Sequence, residues 1–276
     1  LRSCVALEKA KAQTEEEALA DEYKKKVYQY YMNPSKVAMA GKIQPNGSYL
    51  NGIEDFIPSS QYNCDKHHLK VVEDIKENWV TLSLNSKFHA LLATESIPEA
   101  IAYYRLLRKE MPTLKVTALF DPNIDNTGGQ TFKEEGLIEV LEGYKEQFGK
   151  TYTMSTHAAF KQDVALRLAH KKPYNGKDFT KDKQIDLLIV VNQMLTGFDS
   201  KWINTLYVDK VMEYENIIQA FSRTNRLFGP DKPFGVIRYY RYPNTMKRNI
   251  DKAVAMYSDN KPLKLFADPL THNLHQ

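Results

Sequence analysis

The sequence predicts an α/β protein: a three-layer α/β/α domain around a parallel sheet, preceded by a helical and irregular N-terminal segment. Three observations lead there. Residues 185–191 form a continuous apolar run broken by one acid, Asp186, and residues 205–208 form a shorter run. Runs of that length and β-branched content suit strands covered on both faces. Apolar runs also alternate with amphipathic stretches from about residue 88 onward, the pattern of parallel strands joined by right-handed helical crossovers.

Taken in order, residues 10–32 are rich in Glu, Lys, Ala and Tyr without Gly or Pro, and predict helix. From residue 33 to 63 Pro34, Gly41, Pro45, Gly47, Gly52 and Pro58 punctuate the chain, as in an irregular connector or insertion. Helical pattern resumes over 66–82, with Leu69, Val72, Ile75, Trp79 and Leu82 on one face. A strand at 88–93 leads to a helix at 97–110 whose Pro98 sits in the first turn, where its missing N–H costs nothing. A second strand at 115–120 is closed by Asp121, Pro122 and Asn123. Helices at 133–148 and 158–170 precede the strands at 185–191 and 205–208. A helix over 213–227, a strand at 234–240 and a last helix at 244–257 complete the five-strand alternation. The organisation expected is a helical and irregular linker or insertion over 1–65, one α/β lobe over 66–258 and a connector over 259–276.

Composition narrows the classes. At 276 residues, 42% hydrophobic and 26% charged, the chain has the make-up of a water-soluble globular protein with a sizeable core. No apolar run approaches the roughly 20 residues needed to span a bilayer, so no membrane partner is expected. Cys4 and Cys64 are far apart, which suits two reduced thiols in a cytoplasmic protein. The N-terminus lacks both a signal-peptide core and an initiator Met, as expected of a fragment of something longer. A net charge of +4 permits nucleic-acid contact without arguing for it. The lysines at 171, 172, 177, 181 and 183, and the basic residues Arg238, Arg241, Lys247 and Arg248, read more readily as solvated faces than as phosphate tracks.

The chemistry concentrates in residues 185–226. Thr196, Gly197, Phe198 and Asp199 follow the first strand as a small, permissive loop, and α/β folds place ligands at carboxyl ends of strands. Arg223 and Arg226 stand three residues apart, one turn on a continuous helix, with no acid on that turn. Two guanidiniums on one face make a clamp for a polyphosphate. The stretch Gln219-Ala-Phe-Ser222-Arg223-Thr-Asn-Arg226, within the longer QMLTGFDS…NTLYVDK…IIQAFSRTNR, resembles motifs V and VI of superfamily 2 helicases. More narrowly, over about residues 70–258, it resembles the motor (restriction) subunit of type I restriction–modification enzymes.

The resemblance implies a RecA-like second helicase lobe, in a type I site-specific deoxyribonuclease that translocates double-stranded DNA at the expense of ATP before cleaving it. It implies Arg226 as an arginine finger, Arg223 facing the phosphates, and Gln219, Gly197 and Asp199 contacting the nucleotide or its network. ATP and Mg2+ would be cofactors of the full-length enzyme and not held tightly by this chain. The implied partners are double-stranded DNA, the first lobe and nuclease domain of the same parent chain, and the modification and specificity subunits.

Several tempting motifs fail. Gly149-Lys150-Thr151 ends like a P-loop, but Tyr144 occupies the first glycine position and a helix precedes it. Asp21-Glu22-Tyr23-Lys24 lies in a charged helical run and not at the end of an apolar strand, so it is no magnesium box. The first lobe, with P-loop and metal box, is therefore expected elsewhere. Cys64, His67 and His68 lack further ligands at zinc-binding spacing. Thr94, Ser96 and Thr196 are candidate DNA-backbone contacts, with a helix N-cap as the competing role for Ser96 and a turn for Thr196. Val191 stands where the superfamily often has a DNA-contacting threonine, a departure from its pattern. The alternatives to a motor are a nucleic-acid-binding α/β module without an ATPase role and a dinucleotide enzyme. The missing G-x-G-x-x-G weakens the second.

Overall fold

The computed structural model describes residues 1–123, 128–176, 179–191, 200–224, 226 and 228–257. A first helix, α1 (Arg2–Lys9), precedes the 10–32 stretch expected as one helix, and that stretch holds two, α2 (Glu15–Ala20) and α3 (Glu22–Met32). Two capping side chains interrupt it. Thr14 accepts a bond from the backbone N–H of Glu17, and Asp21 accepts from those of Tyr23 and Lys24. Such short polar side chains compete with the helical ladder and restart it. Asp21 is thus a helix cap.

Residues 33–63 contain only a short hairpin, β1 (Lys42–Ile43) and β2 (Tyr49–Leu50), among the described strands. Helix α4 (Asp65–Leu82) follows. Its buried face is His68, Val71, Val72, Ile75 and Trp79, so Leu69, expected inside, is instead 39% exposed.

The α/β part follows the expected alternation: β3 (His89–Thr94), α5 (Ile97–Glu110), β4 (Val116–Leu119), α6 (Gln130–Phe148), α7 (His157–Leu168), β5 (Leu187–Val191), β6 (Ile203–Asp209), α8 (Tyr214–Phe221), β7 (Val236–Tyr239) and α9 (Pro243–Tyr257). All sheet pairings are parallel, in the order β4-β5-β3-β6-β7. Every residue of β3, β4 and β5 is buried, so both faces of the sheet are covered. β5 and β6 flank β3, and the direction of strand addition reverses there. Gly149 caps the end of α6, and Lys150 pairs with Asp163 of α7 at 2.7 Å. That fully accounts for the P-loop-like letters.

The N-terminal segment is built into the lobe. Glu54, fully buried, accepts from the backbone N–H groups of Asn244 and Thr245 at 2.9 and 2.7 Å. A carboxylate at these orphan donors stabilises the start of α9 through both hydrogen bonds and the helix dipole. The Tyr242 hydroxyl donates to Ile57 O at 3.1 Å, and Tyr242 packs on the Val5–Val37–Ile53–Ile57 cluster.

At the amino-terminal edge of the sheet, His89 is buried and its Nε2 lies 2.7 Å from Nε2 of His170, so one ring donates and the other accepts. Burial, reinforced by the neighbouring His170, holds His89 down at about 3, and burial with the nearby Lys201 holds His170 at about 4. Both folded values lie below the unfolded value of about 6.5. The unfolded chain therefore takes up more protons, and stability present above pH ~6.5 is lost as pH falls towards 4. Asp186 opposes this: burial raises its carboxyl to about 6, so its protonation favours the fold over the same window. Denaturant unfolding between pH 7 and 5 should show the unfolding free energy falling, and Asp186→Asn should make the fall steeper. A profile that is flat in that variant would refute the neutral histidine pair.

Candidate functional site

The carboxyl edge of the sheet, where an α/β fold would seat a ligand, is filled by the protein's own charges. Asp209 ends β6 opposite Thr94 of β3 and is fully buried. It accepts from His67 Nε2 at 2.7 Å, the Tyr103 hydroxyl at 2.7 Å, and Arg241 Nε and Nη2 at 3.1 and 3.0 Å. Arg241 also donates to Glu99 at 2.7 Å and to Asn63 at 2.9 Å. Burial alone would raise the Asp209 carboxyl, but the bonds from His67, Arg241 and Tyr103 and the Arg241 charge outweigh it and bring the value to about 2. Asp209 and Arg241 escaped the sequence reading as a pair because 32 residues separate them. The signal was there in an acid closing an otherwise apolar strand.

The candidate DNA contacts on this edge are engaged within the fold. Thr94 is fully buried, and its hydroxyl donates to the carbonyls of Ser96 and Val190 at 3.3 and 3.5 Å. Ser96 is the N-cap of α5, in a capping box with Glu99. Val191, the last residue of β5, is buried. Thr196, Gly197 and Asp199 lie outside the described residues.

The arginines lie at the opposite edge. α8 was expected to run to residue 227 with Arg223 and Arg226 on one face, but it ends at Phe221. Its last turn tightens: Arg223 N and Thr224 N bond back to Ala220 O and Phe221 O, each at 3.1 Å. The Ser222 hydroxyl takes Gln219 O at 2.7 Å, and the Thr224 hydroxyl takes Phe221 O at 3.2 Å. Side-chain hydroxyls satisfying the terminal carbonyls end the helix here. Arg223 therefore occupies a turn, half-buried, and Arg226 lies beyond it, exposed; they do not share a helix face. Gln219 is exposed on the last turn of α8.

Three contacts put this turn at the amino-terminal edge. Thr224 is buried against Gly235, one residue before β7; a Cβ there would meet Thr224 O at 2.4 Å and its Cβ at 2.5 Å. Phe228 packs on Trp202, one residue before β6, with ring centroids 4.5 Å apart, and on Phe88, one residue before β3, at 5.8 Å. Lys232 is buried and donates to Lys201 O and Ile203 O at 3.1 and 2.6 Å. The chain re-emerging after Asp199 is held on the same edge, with Ser200 Oγ donating to Leu168 O at 2.7 Å. The parallel topology explains the geometry. α8 carries the chain from the carboxyl end of β6 back to the start of β7, so residues following it fall on the amino edge.

Among the described residues, no group of three or more His, Cys, Asp or Glu side chains is arranged to hold a metal ion. No described helix is long and apolar enough to cross a membrane. Cys4 and Cys64 are unbridged thiols.

Comparison with known proteins places residues 86–242 in register with the family described as type I restriction enzyme subunit R domain 3. The chain is 35% identical over 203 residues to a type I restriction enzyme endonuclease subunit of Staphylococcus aureus (strain MRSA252), covering 71% of this chain and 21% of that one. It is 36% identical over 201 residues to a type I endonuclease subunit of Staphylococcus saprophyticus, covering 69% and 20% respectively. The chain thus spans about a fifth of the length of these curated relatives. Among solved structures, the C-terminal part of the Fun30 ATPase domain aligns with 99% of this chain and 71% of its own, at 10% identity and a TM-score of 0.36.

Proposed function

Because the chain belongs to the type I restriction enzyme subunit R family, matching its domain 3 over residues 86–242, we propose that it serves as the second motor lobe of such a subunit, supporting ATP-driven translocation of double-stranded DNA. The observation that carries this reading is the amino-terminal edge, where Thr224 and Phe228, which bracket Arg226, are pinned beside residues 201–203, close after Gly197 and Asp199 in the chain. A turn fixed to the sheet holds its arginines ready before substrate arrives, which is what transition-state stabilisation requires.

The donor set suits a polyphosphate. Guanidiniums remain charged at any working pH and bond planar oxyanions bidentately. Arg226, exposed on the edge, would meet the transferring phosphoryl group of an ATP bound by the first lobe, and Arg223, set back in the turn, would steady its neighbouring oxygens. Gln219, one helical turn before, would orient the same groups. Mg2+, which would be held with the nucleotide by the first lobe, would supply further charge neutralisation on the phosphates. Ser96 remains a candidate backbone-phosphate contact, because a capped helix start still presents N–H groups. Modification and specificity subunits, and a nuclease domain in the same subunit, follow as partners of the whole enzyme, with a cytoplasmic location.

This reading divides ATP chemistry between two lobes. The purified 276-residue chain should therefore show no ATP turnover above background and only weak duplex-DNA binding that fades as salt rises from 50 to 200 mM, the range over which phosphate contacts are lost. Sustained ATP turnover by this chain alone would overturn the half-motor assignment. Tight, salt-resistant DNA binding without any ATPase contribution in the full-length subunit would favour the plain nucleic-acid module instead.

A further inference from the structure

Lys232 belongs to none of the motifs quoted above, yet it is 1% exposed, and a buried ammonium is costly unless bonded. It lies eight residues beyond Thr224 and donates to Lys201 O and Ile203 O, the two carbonyls flanking Trp202 at the start of β6. Its own backbone closes a small turn: Phe228 N bonds Lys232 O at 3.1 Å and Lys232 N bonds Gly229 O at 3.3 Å. Phe228, at the head of that turn, packs on Trp202. Three residues later Gly235 receives Thr224 at a distance no other side chain permits. Thr224 and Gly235 thus meet, and Phe228 and Lys232 between them are pegged to the start of β6.

We infer that Lys232 and Gly235 are positioning residues that hold Thr224 and Phe228, and with them Arg223 and Arg226, against residues 201–203 at the start of β6, so that this edge moves as one rigid unit. Lys232 supplies the peg, through two charge-assisted bonds to backbone. Gly235 supplies the seat, since a methyl group there would push Thr224, and the arginine turn with it, away from the sheet. Burial holds the Lys232 ammonium down at about 8, so its charged form still predominates at neutral pH. A carboxylate would neutralise the charge more fully, but the backbone carbonyls fix the peg to the strand itself.

This inference rests on the second-lobe reading, and the test separates the two. In the full-length subunit, ATP turnover is measured for Lys232→Met, which keeps the buried stem and removes the ammonium, for Gly235→Ala, and for Arg226→Ala. Lys150→Met is the control, since it breaks the Asp163 pair between α6 and α7 and lies outside residues 224–235. Lys232→Met and Gly235→Ala should each lower kcat by roughly 10²-fold, the cost of about 1 Å of misplacement, with KM for ATP within about twofold of wild type. Lys150→Met should leave kcat unchanged. If Lys232→Met fails to fold, Gly235→Ala decides alone. Wild-type kcat in the positioning variants beside an inactive Arg226→Ala would overturn the inference and leave the motor reading standing. An equal fall in Lys150→Met would reduce the effect to general destabilisation and overturn it too. Retained turnover in Arg226→Ala would instead bring down the motor reading itself.

Discussion

Arg226→Ala in the full-length subunit should abolish ATP hydrolysis and DNA translocation while ATP binding survives. The expected loss in kcat is about 10³–10⁵-fold, the range that a trans-supplied guanidinium contributes in phosphoryl transfer. The asymmetry between binding and turnover follows from where the charge develops. A group that meets the phosphoryl oxygens as the bond breaks stabilises the transition state far more than the ground state. Arg226→Lys should recover little, because an ammonium is a point donor and lacks the planar fork. The exposed position of Arg226 on the amino edge makes the variant a clean one: its own fold should melt within about 0.5 kcal/mol of wild type, as surface substitutions usually do. Nucleotide binding followed by fluorescence, with phosphate release measured in parallel, separates the two effects. A variant that hydrolyses ATP within tenfold of wild type would remove Arg226 from the finger role, and a variant that no longer binds ATP would make it a ground-state ligand instead.

Much of this architecture is legible in the chain itself, and where it is not the reason is physical. The 97–110 helix is read to the residue because Ser96 and Glu99 write a capping box and Pro98 marks the first turn. The buried strands at 187–191 and 203–209 are legible from apolar runs flanked by breakers. The 10–32 stretch shows how such reading fails: periodicity and composition alone carry it through Thr14 and Asp21, whose side chains stop and restart the helix. The end of α8 fails for a related reason. Ser222 and Thr224 are ordinary helix residues by composition, and only their back-bonding to Gln219 and Phe221, with Thr224 seated on Gly235, reveals a turn. Motif spacing identified the arginines correctly as neighbours but assigned them a shared face that the turn does not give. The edge of the sheet that carries them depends on strand order, and the order β4-β5-β3-β6-β7 is a long-range property. The Asp209–Arg241–Glu99 network joins α5, β6 and the segment between β7 and α9 across more than 100 residues, beyond the reach of any local pattern.

That network carries the largest stability effect we expect. Asp209→Ala should destabilise the chain by about 3–5 kcal/mol, because it leaves a buried guanidinium short of its main partner. Arg241 is only 3% exposed and would keep Glu99 and Asn63 but lose both bonds to Asp209, while the Tyr103 hydroxyl and His67 Nε2 would both lose their acceptor. For a chain of this size about 1 kcal/mol corresponds to about 2–4 °C in Tm, so the midpoint should fall by roughly 10 °C or more. The network's position sharpens the expectation. It sits at the carboxyl ends of the paired strands β3 and β6 and connects through Asn63 to the N-terminal segment, so its loss should loosen α4 and the start of α9 together. Removing all three charges tests whether the cost comes from the orphaned partner or from the lost attraction. Asp209→Leu with Arg241→Met and Glu99→Gln should recover much of the single-variant loss, since well-packed neutral replacements of a buried ionic group are often tolerated and Glu99 would otherwise be left buried without Arg241. If denaturant melts show Asp209→Ala within about 1 kcal/mol of wild type, water reaches Arg241 and satisfies it; if the combined variant is no better than the single, the ionic group itself, and not the orphaned guanidinium, holds this edge of the sheet together.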